Sequence, residues 1–203
     1  SITELSCENG TISGETLPYG TRFFSVGCRD GGARISVAFE PTVPLTSIAE
    51  PNDGPFFWSG AESNSVASLE RTFDLPANAA PIRFSFSIRY DLETDYDYLY
   101  LLASIDNGAS WRMLPLPGGR EDRTSGFNLG NGLSGRNGSW ERMELDLSEF
   151  AGERLTLRFD VVTDQAVCGD GVFLDDFRID AIGYVDPVDT VETGETGWKT
   201  SRN

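Results

Sequence analysis

The chain has 203 residues, enough for one large β domain or two small ones with a core of their own. Its 16 Lys and Arg against 32 Asp and Glu leave a net charge of −16, which repels nucleic-acid phosphates and anionic lipid surfaces and favours bound cations. Histidine is absent, so Ser-His and Cys-His nucleophile pairs, HExxH zinc helices and imidazole bases are excluded from this chain.

No run of about 18 apolar residues is present to span a bilayer. The start at Ser1 shows no charged-then-apolar leader, so the chain reads as a mature or excised soluble segment with no nucleic-acid partner and no membrane span. The first 34 residues read as an N-terminal β-hairpin extension. Cys7 and Cys28 flank two strand-like runs around the turn LPYG, so their ends are expected to meet in a disulfide, which suits an oxidising extracellular setting. Two buried thiols are the plainer alternative.

A period of two then dominates, which marks an all-β chain. Ile35, Val37 and Phe39 begin it, and Leu69, Phe73 and Leu75 continue it. In IRFSFSIRY, Ile82, Phe84, Phe86, Ile88 and Tyr90 share one face while Arg83, Ser85, Ser87 and Arg89 share the other. DLETDYD follows, with Asp91, Glu93, Asp95 and Asp97 at alternate positions. An EF-hand loop has that spacing but needs Gly at its sixth position and Glu at its twelfth, where this chain has Tyr96 and Leu102. A solvated acidic loop, or oxygen ligands for a hard cation such as calcium, remain.

In YDYLYLLASI both parities are apolar, Tyr96, Tyr98, Tyr100 and Leu102 on one and Leu99, Leu101 and Ile105 on the other, so a central strand covered on both faces is expected. SIDNGASW matches the "Asp box" S-x-D-x-G-x-x-W. Its mechanics are those of a hairpin: Asp106 accepts backbone N–H bonds, Gly108 supplies a positive φ and Trp111 packs beneath. A propeller would repeat the box once per blade, and the chain holds one copy.

Residues 117–139 form a long Gly, Asn and Ser-rich loop. Met143, Leu145 and Leu147 and then Leu155, Leu157, Phe159 and Val161 give two more strands, joined by a helical turn at Asp146 to Gly152. Cys168 has no activating neighbour and reads as inert. In VFLDDFRID, Asp175 shares parity with Phe173, Phe177 and Ile179, so a regular strand would bury its carboxylate. A bulge there, an arginine partner (Arg34, Arg83 or Arg158) or calcium shared with the acidic loop would resolve the conflict. A pair of carboxylates beside a sugar cleft would also suit a glycosidase, but acids are too abundant here for a pair to be diagnostic. The tail from Gly183 is acidic and broken by Pro and Gly.

These strands, about eight to ten with no convincing amphipathic helix, point to a two-sheet antiparallel β-sandwich, most simply a jelly roll. The blocks FFWSG (56–60), LERTFDLP (69–76), IRYDLETDYDYLYLLASIDNGASW (88–111), GNGLSG (130–135), GSWERMELDLSEFAGERLTLRFDVVTD (138–164) and GVFLDDFRID (171–180) resemble, in order, the MAM-like jelly-roll domain of immune inhibitor A-type metallopeptidases. The resemblance covers residues 35–183. It implies a non-catalytic sandwich appended to a secreted bacterial protein, often with a structural calcium ion. The family's acidic strand entrance matches Asp91, Glu93 and Asp97, and its Ile-Asp-Asp ending matches Asp175 and Asp176, with Leu174 in place of the isoleucine. Residues 189–198 resemble the opening strand of a second such domain, so 184–203 are expected as an acidic linker or an orphan strand of a following module. Its partners would be other domains of a parent protein, or further copies through strand addition at an exposed edge. An alternative reading is a carbohydrate-binding module, with Phe57, Trp58 and Trp140 as a glycan platform.

Overall fold

The computed structural model describes residues 2–6, 23–27, 56–121, 127–186 and 197–203. The chain divides into two units, Ser1–Ala49 and Glu50–Asn203. In the first, β1 (Ile2–Ser6) and β2 (Phe23–Gly27) pair in parallel, Ile2 opposite Phe23 and Ser6 opposite Gly27. The expected hairpin runs between residues 10–15 and 20–26 around LPYG, and its first arm and its turn lie outside the described residues. Cys7, Cys28, Ile35, Val37 and Phe39 lie outside the described residues.

The second unit contains β3 (Phe57–Trp58), β4 (Val66–Asp74), β5 (Arg83–Asp91), β6 (Tyr98–Ser104), β7 (Arg112–Leu114), β8 (Glu141–Asp146), β9 (Arg154–Val162), β10 (Gly171–Ile179), β11 (Tyr184–Asp186) and β12 (Lys199–Arg202). They form two antiparallel sheets, β11-β10-β5-β8 with β3 also on β10, and β12-β4-β9-β6-β7. The fold is therefore the β-sandwich that the alternation foretold. The turn expected after Asp146 is a single 3-10 turn, Ser148–Phe150.

Phe84, Phe86 and Ile88 of β5 and Leu155, Leu157 and Phe159 of β9 are almost fully excluded from water in one common core. Each such side chain contributes about 1.5–3 kcal/mol of burial. Every residue of β6 is buried, as the double-sided pattern required, whereas Tyr96 and Ile105, which that pattern also included, lie outside the strand and are exposed. Leu99, Leu101 and Ala103 face the core, while Tyr98, Tyr100 and Leu102 form a second apolar cluster with Trp111, Met113 and Val162. The long loop reinforces this arrangement: Leu133 exchanges backbone hydrogen bonds of 2.8 and 2.9 Å with Leu99, and Leu129 N donates to Tyr100 Oη.

The conflict in VFLDDFRID is resolved by a bulge. Asp175 stands opposite Ser87 and Arg178 opposite Ser85, so Asp176 and Phe177 together face Phe86. Asp176 takes up the extra residue at φ 53°, a left-handed conformation that Asp tolerates better than most residues. Its effect is a change of parity. Leu174 and Phe177 both reach the core, and Asp175 falls on the opposite face with its β5 partner Ser87.

The tail also departs from expectation. β11 pairs with β10, and β12 runs antiparallel to β4 from Lys199 opposite Glu70 to Arg202 opposite Ala67. Residues 199–202 are thus an edge strand of this sandwich rather than an orphan, and Trp198 just before them packs into its core.

Candidate functional site

The acids of DLETDYD lie at the end of the sandwich where β5 turns into β6. Asp97 N and Tyr96 N donate to Glu93 O at 2.9 and 3.2 Å, closing a tight turn with Asp95 at φ 68°. Ser134 holds this turn from the long loop, its hydroxyl donating to Glu93 O and accepting from Asp95 N. Because Tyr98 pairs with Val162, the β6 to β9 register sets Asp97 beside the residues that follow β9. Asp164 N donates to Asp97 Oδ1 at 3.0 Å, and Glu93 N lies 3.4 Å from Asp97 Oδ2.

Carboxylate oxygens of Glu93, Asp97 and Asp164 therefore lie within 4.8 Å of one another. Asp97 is wholly inaccessible to water. Burial pushes its carboxyl pKa up; the N–H donors of Asp164 and Glu93 pull it down, and the two neighbouring carboxylates add a smaller upward push. Glu93 Oε2 is buried and accepts no hydrogen bond. Three anionic side chains, one of them with a solvent-excluded and unsatisfied oxygen, form a costly arrangement in the absence of a cation. An all-oxygen donor set lacking Cys and His suits a hard ion such as calcium and not zinc. The residues present fit that ion: Glu93, Asp97 and Asp164 would hold it.

Of the expected ligands, Glu93 and Asp97 come together here, and Asp91, Asp175 and Asp176 do not join them. Asp91 ends β5 opposite Gly171. Asp175 is buried beside the bulge, and its Oδ1 accepts the Asp176 N–H at 2.7 Å. Asp176 Oδ2 accepts the Ser87 hydroxyl at 2.9 Å. Of the arginines suggested for Asp175, Arg83 pairs with Glu144 and Arg158 with Asp160, and Arg34 lies outside the described residues. Asp164 was missed. It closes VVTD, a plain strand ending, and only the pairing of β6 with β9 brings it to Asp97.

Of the residues expected as a glycan platform, Phe57 is set apart, whereas Trp58 and Trp140 are linked through Phe173 and Phe56, whose rings are 5.5 Å apart. Phe57 and Trp58 alternate across β3. Phe57 packs against Phe177 and Trp198 in the core, whereas Trp58 stacks on Phe173 and donates its indole N–H to Asp170 O at 2.7 Å. Trp140 packs on Phe56, 5.9 Å between centroids. Cys168 is half-buried, with Sγ donating to Ala61 O at 3.0 Å.

The fold and site are those of an antiparallel β-sandwich module with an acidic cluster at one end, pinned by a long loop. Residues 36–201 match the immune inhibitor A-like MAM domain, and the chain belongs to that family. Among characterised proteins it is similar to the pre-pro-metalloprotease PrtV of Vibrio cholerae serotype O1, with 29% identity over 157 residues that cover 74% of this chain and 16% of that protein. It is also similar to immune inhibitor A of Bacillus thuringiensis subsp. alesti, with 30% identity over 165 residues covering 81% of this chain and 22% of that protein. The chain thus spans less than a quarter of the length of either relative.

Proposed function

We propose that this chain is an accessory β-sandwich of a larger extracellular bacterial protein, without catalysis of its own, and that calcium held by Glu93, Asp97 and Asp164 stabilises it. The carrying observation is the buried Glu93 Oε2, which accepts no hydrogen bond and lies beside the fully buried Asp97. A divalent ion would supply the missing partner and neutralise most of the local charge. The relatives support the accessory reading, since one is named a pre-pro-metalloprotease and the other immune inhibitor A, and this chain, matched to the MAM domain, covers only 16% and 22% of them. With no histidine, this chain carries no HExxH helix, so zinc-peptidase chemistry of that type in a parent protein belongs to another region.

Calcium binds only the folded site, so it stabilises by mass action, about 2.7 kcal/mol at a hundred times its Kd. For a sandwich of this size that corresponds to roughly 5–10 °C in Tm. Protein shown by atomic emission to carry calcium should lose that much on EDTA treatment and regain it on adding calcium. The E93Q and D97N variants should show no EDTA response. A metal-loaded sample with an unchanged melting curve would overturn the calcium reading, and stable metal-free protein with the same curve would do so as well.

A further inference from the structure

The segment 197–203, GWKTSRN, carries one apolar side chain, Trp198. Its ring lies 4.4 Å from that of Phe177 and 6.0–6.5 Å from those of Phe73, Phe159 and Phe57, and its Nε1 donates to Tyr184 Oη at 2.8 Å. These five rings come from β3, β4, β9, β10 and β11. The slot is built from both sheets without any residue of the segment that fills it.

Beyond Trp198, residues 199–203 are exposed. They are held by the ladder to β4, by the paired bonds between Val66 and Asn203 at 3.1 and 3.0 Å, and by Arg202, whose guanidinium reaches Ser59 O and Glu62. The segment behaves as a short linear ligand: a strand added to the β4 edge, anchored by one aromatic side chain. Its covalent link to β11 is residues 187–196, which start with a proline.

We propose that this slot is a strand-acceptor site, and that it takes residues 197–203 from a second copy of the chain as well as from its own. Exchange preserves every contact described above and changes only the path of the link, which makes strand swapping a low-cost route to dimers. A singly bordered edge strand opens locally without unfolding the sandwich. A link of about ten residues gives the native strand an effective concentration on the order of millimolar. The monomer is therefore favoured in dilute solution, and swapped dimers appear as the protein approaches that concentration. This differs from strand addition to a free edge, because the acceptor is the slot the chain's own strand occupies.

Two experiments on the full chain decide it. A biotinylated GWKTSRN peptide, incubated in millimolar excess and followed by gel filtration and streptavidin capture, should retain the protein at least tenfold better than the peptide with Trp198→Ala. Equal capture by the two peptides, or none, overturns the proposal. Ser201 stands opposite Ser68, so S68C and S201C variants mixed at near-millimolar concentration should form an inter-chain disulfide between those positions by peptide mapping. If the S68C/S201C double variant closes within one chain while the mixture yields no such bond, exchange does not occur.

Discussion

Asp106 shows at the residue scale how much one side chain organises. Its Oδ1 accepts from the Ser104 hydroxyl at 2.7 Å and from Ser110 N at 2.9 Å, and its Oδ2 accepts the Ser110 hydroxyl at 2.6 Å. Gly108 turns beside it at φ 86°, and a Cβ there would stand 3.3 Å from Trp111 Cζ2. The ring of Trp111 in turn lies under the Arg158 guanidinium at 4.2 Å. The turn roles of Asp106, Gly108 and Trp111 were readable from SIDNGASW because they are local, whereas the contact with Arg158 comes only from the sheet. The donors, Ser110 hydroxyl first, then Ser110 N–H and Ser104 hydroxyl, lower the Asp106 pKa from 3.8 to about 2. A folded-state pKa below the unfolded value gives stability that is present above the ordinary carboxylate range and is lost as pH falls through the folded one. The Tm gap between wild type and D106N should therefore be full above pH 5, shrink between about pH 4 and 2, and close below. A gap constant across that range would mean the ionised carboxylate is not what stabilises the turn. Asp164 was not legible for the opposite reason: its partner Asp97 is 67 residues away in sequence and is met only through sheet register.

At the element scale the bulge in β10 determines which face each side chain occupies. Strict alternation over VFLDDFRID forces a choice between burying Phe177 and exposing Asp175. Either strand ending looks the same in sequence, so the alternation located the conflict without saying how it resolves. The register resolves it by setting Asp176 and Phe177 against the single residue Phe86. Deleting Asp176 should therefore leave a regular strand in which Leu174, Phe177 and Ile179 still face the core. The loss would be the hydrogen bond from Ser87, about 1 kcal/mol, together with any further contact of Asp176. Deleting Arg178 instead must turn Ile179 outward or force an Asp into the core, because a slip of one residue exchanges the faces. Thermal unfolding should show a cooperative transition for the Asp176 deletion, a few degrees below wild type, and none for the Arg178 deletion. Similar loss in both would show that the extra residue does more than offset the register.

On the scale of the whole molecule, the sandwich was legible from period-two alternation, and its double-sided centre was legible from YLYLLAS, because each strand reports its own burial. Its closure was not. Nothing local distinguishes GWKTSRN as the last strand of this sandwich from the first strand of another; the distinction lies in the aromatic slot, assembled from residues between Phe57 and Tyr184. That slot makes a graded prediction. Trp198 is 7% exposed, so Trp198→Ala leaves a cavity among Phe57, Phe73, Phe159 and Phe177, at a cost of about 3–5 kcal/mol. Trp198→Phe keeps most of the packing and forfeits the bond to Tyr184 Oη, a loss of about 1–2 kcal/mol from the hydrogen bond and the smaller ring. Against a typical domain stability of about 5–15 kcal/mol, the Ala variant should unfold at a clearly lower urea midpoint and the Phe variant should fall between it and wild type. Hydrogen exchange should report the same order locally, with amides of β12 and of the β4 edge it covers losing protection before those of β6 and β9. If Trp198→Ala unfolds at the wild-type midpoint with β4 still protected, the closing strand is an ornament of the sandwich, and its slot is not part of what holds the two sheets together.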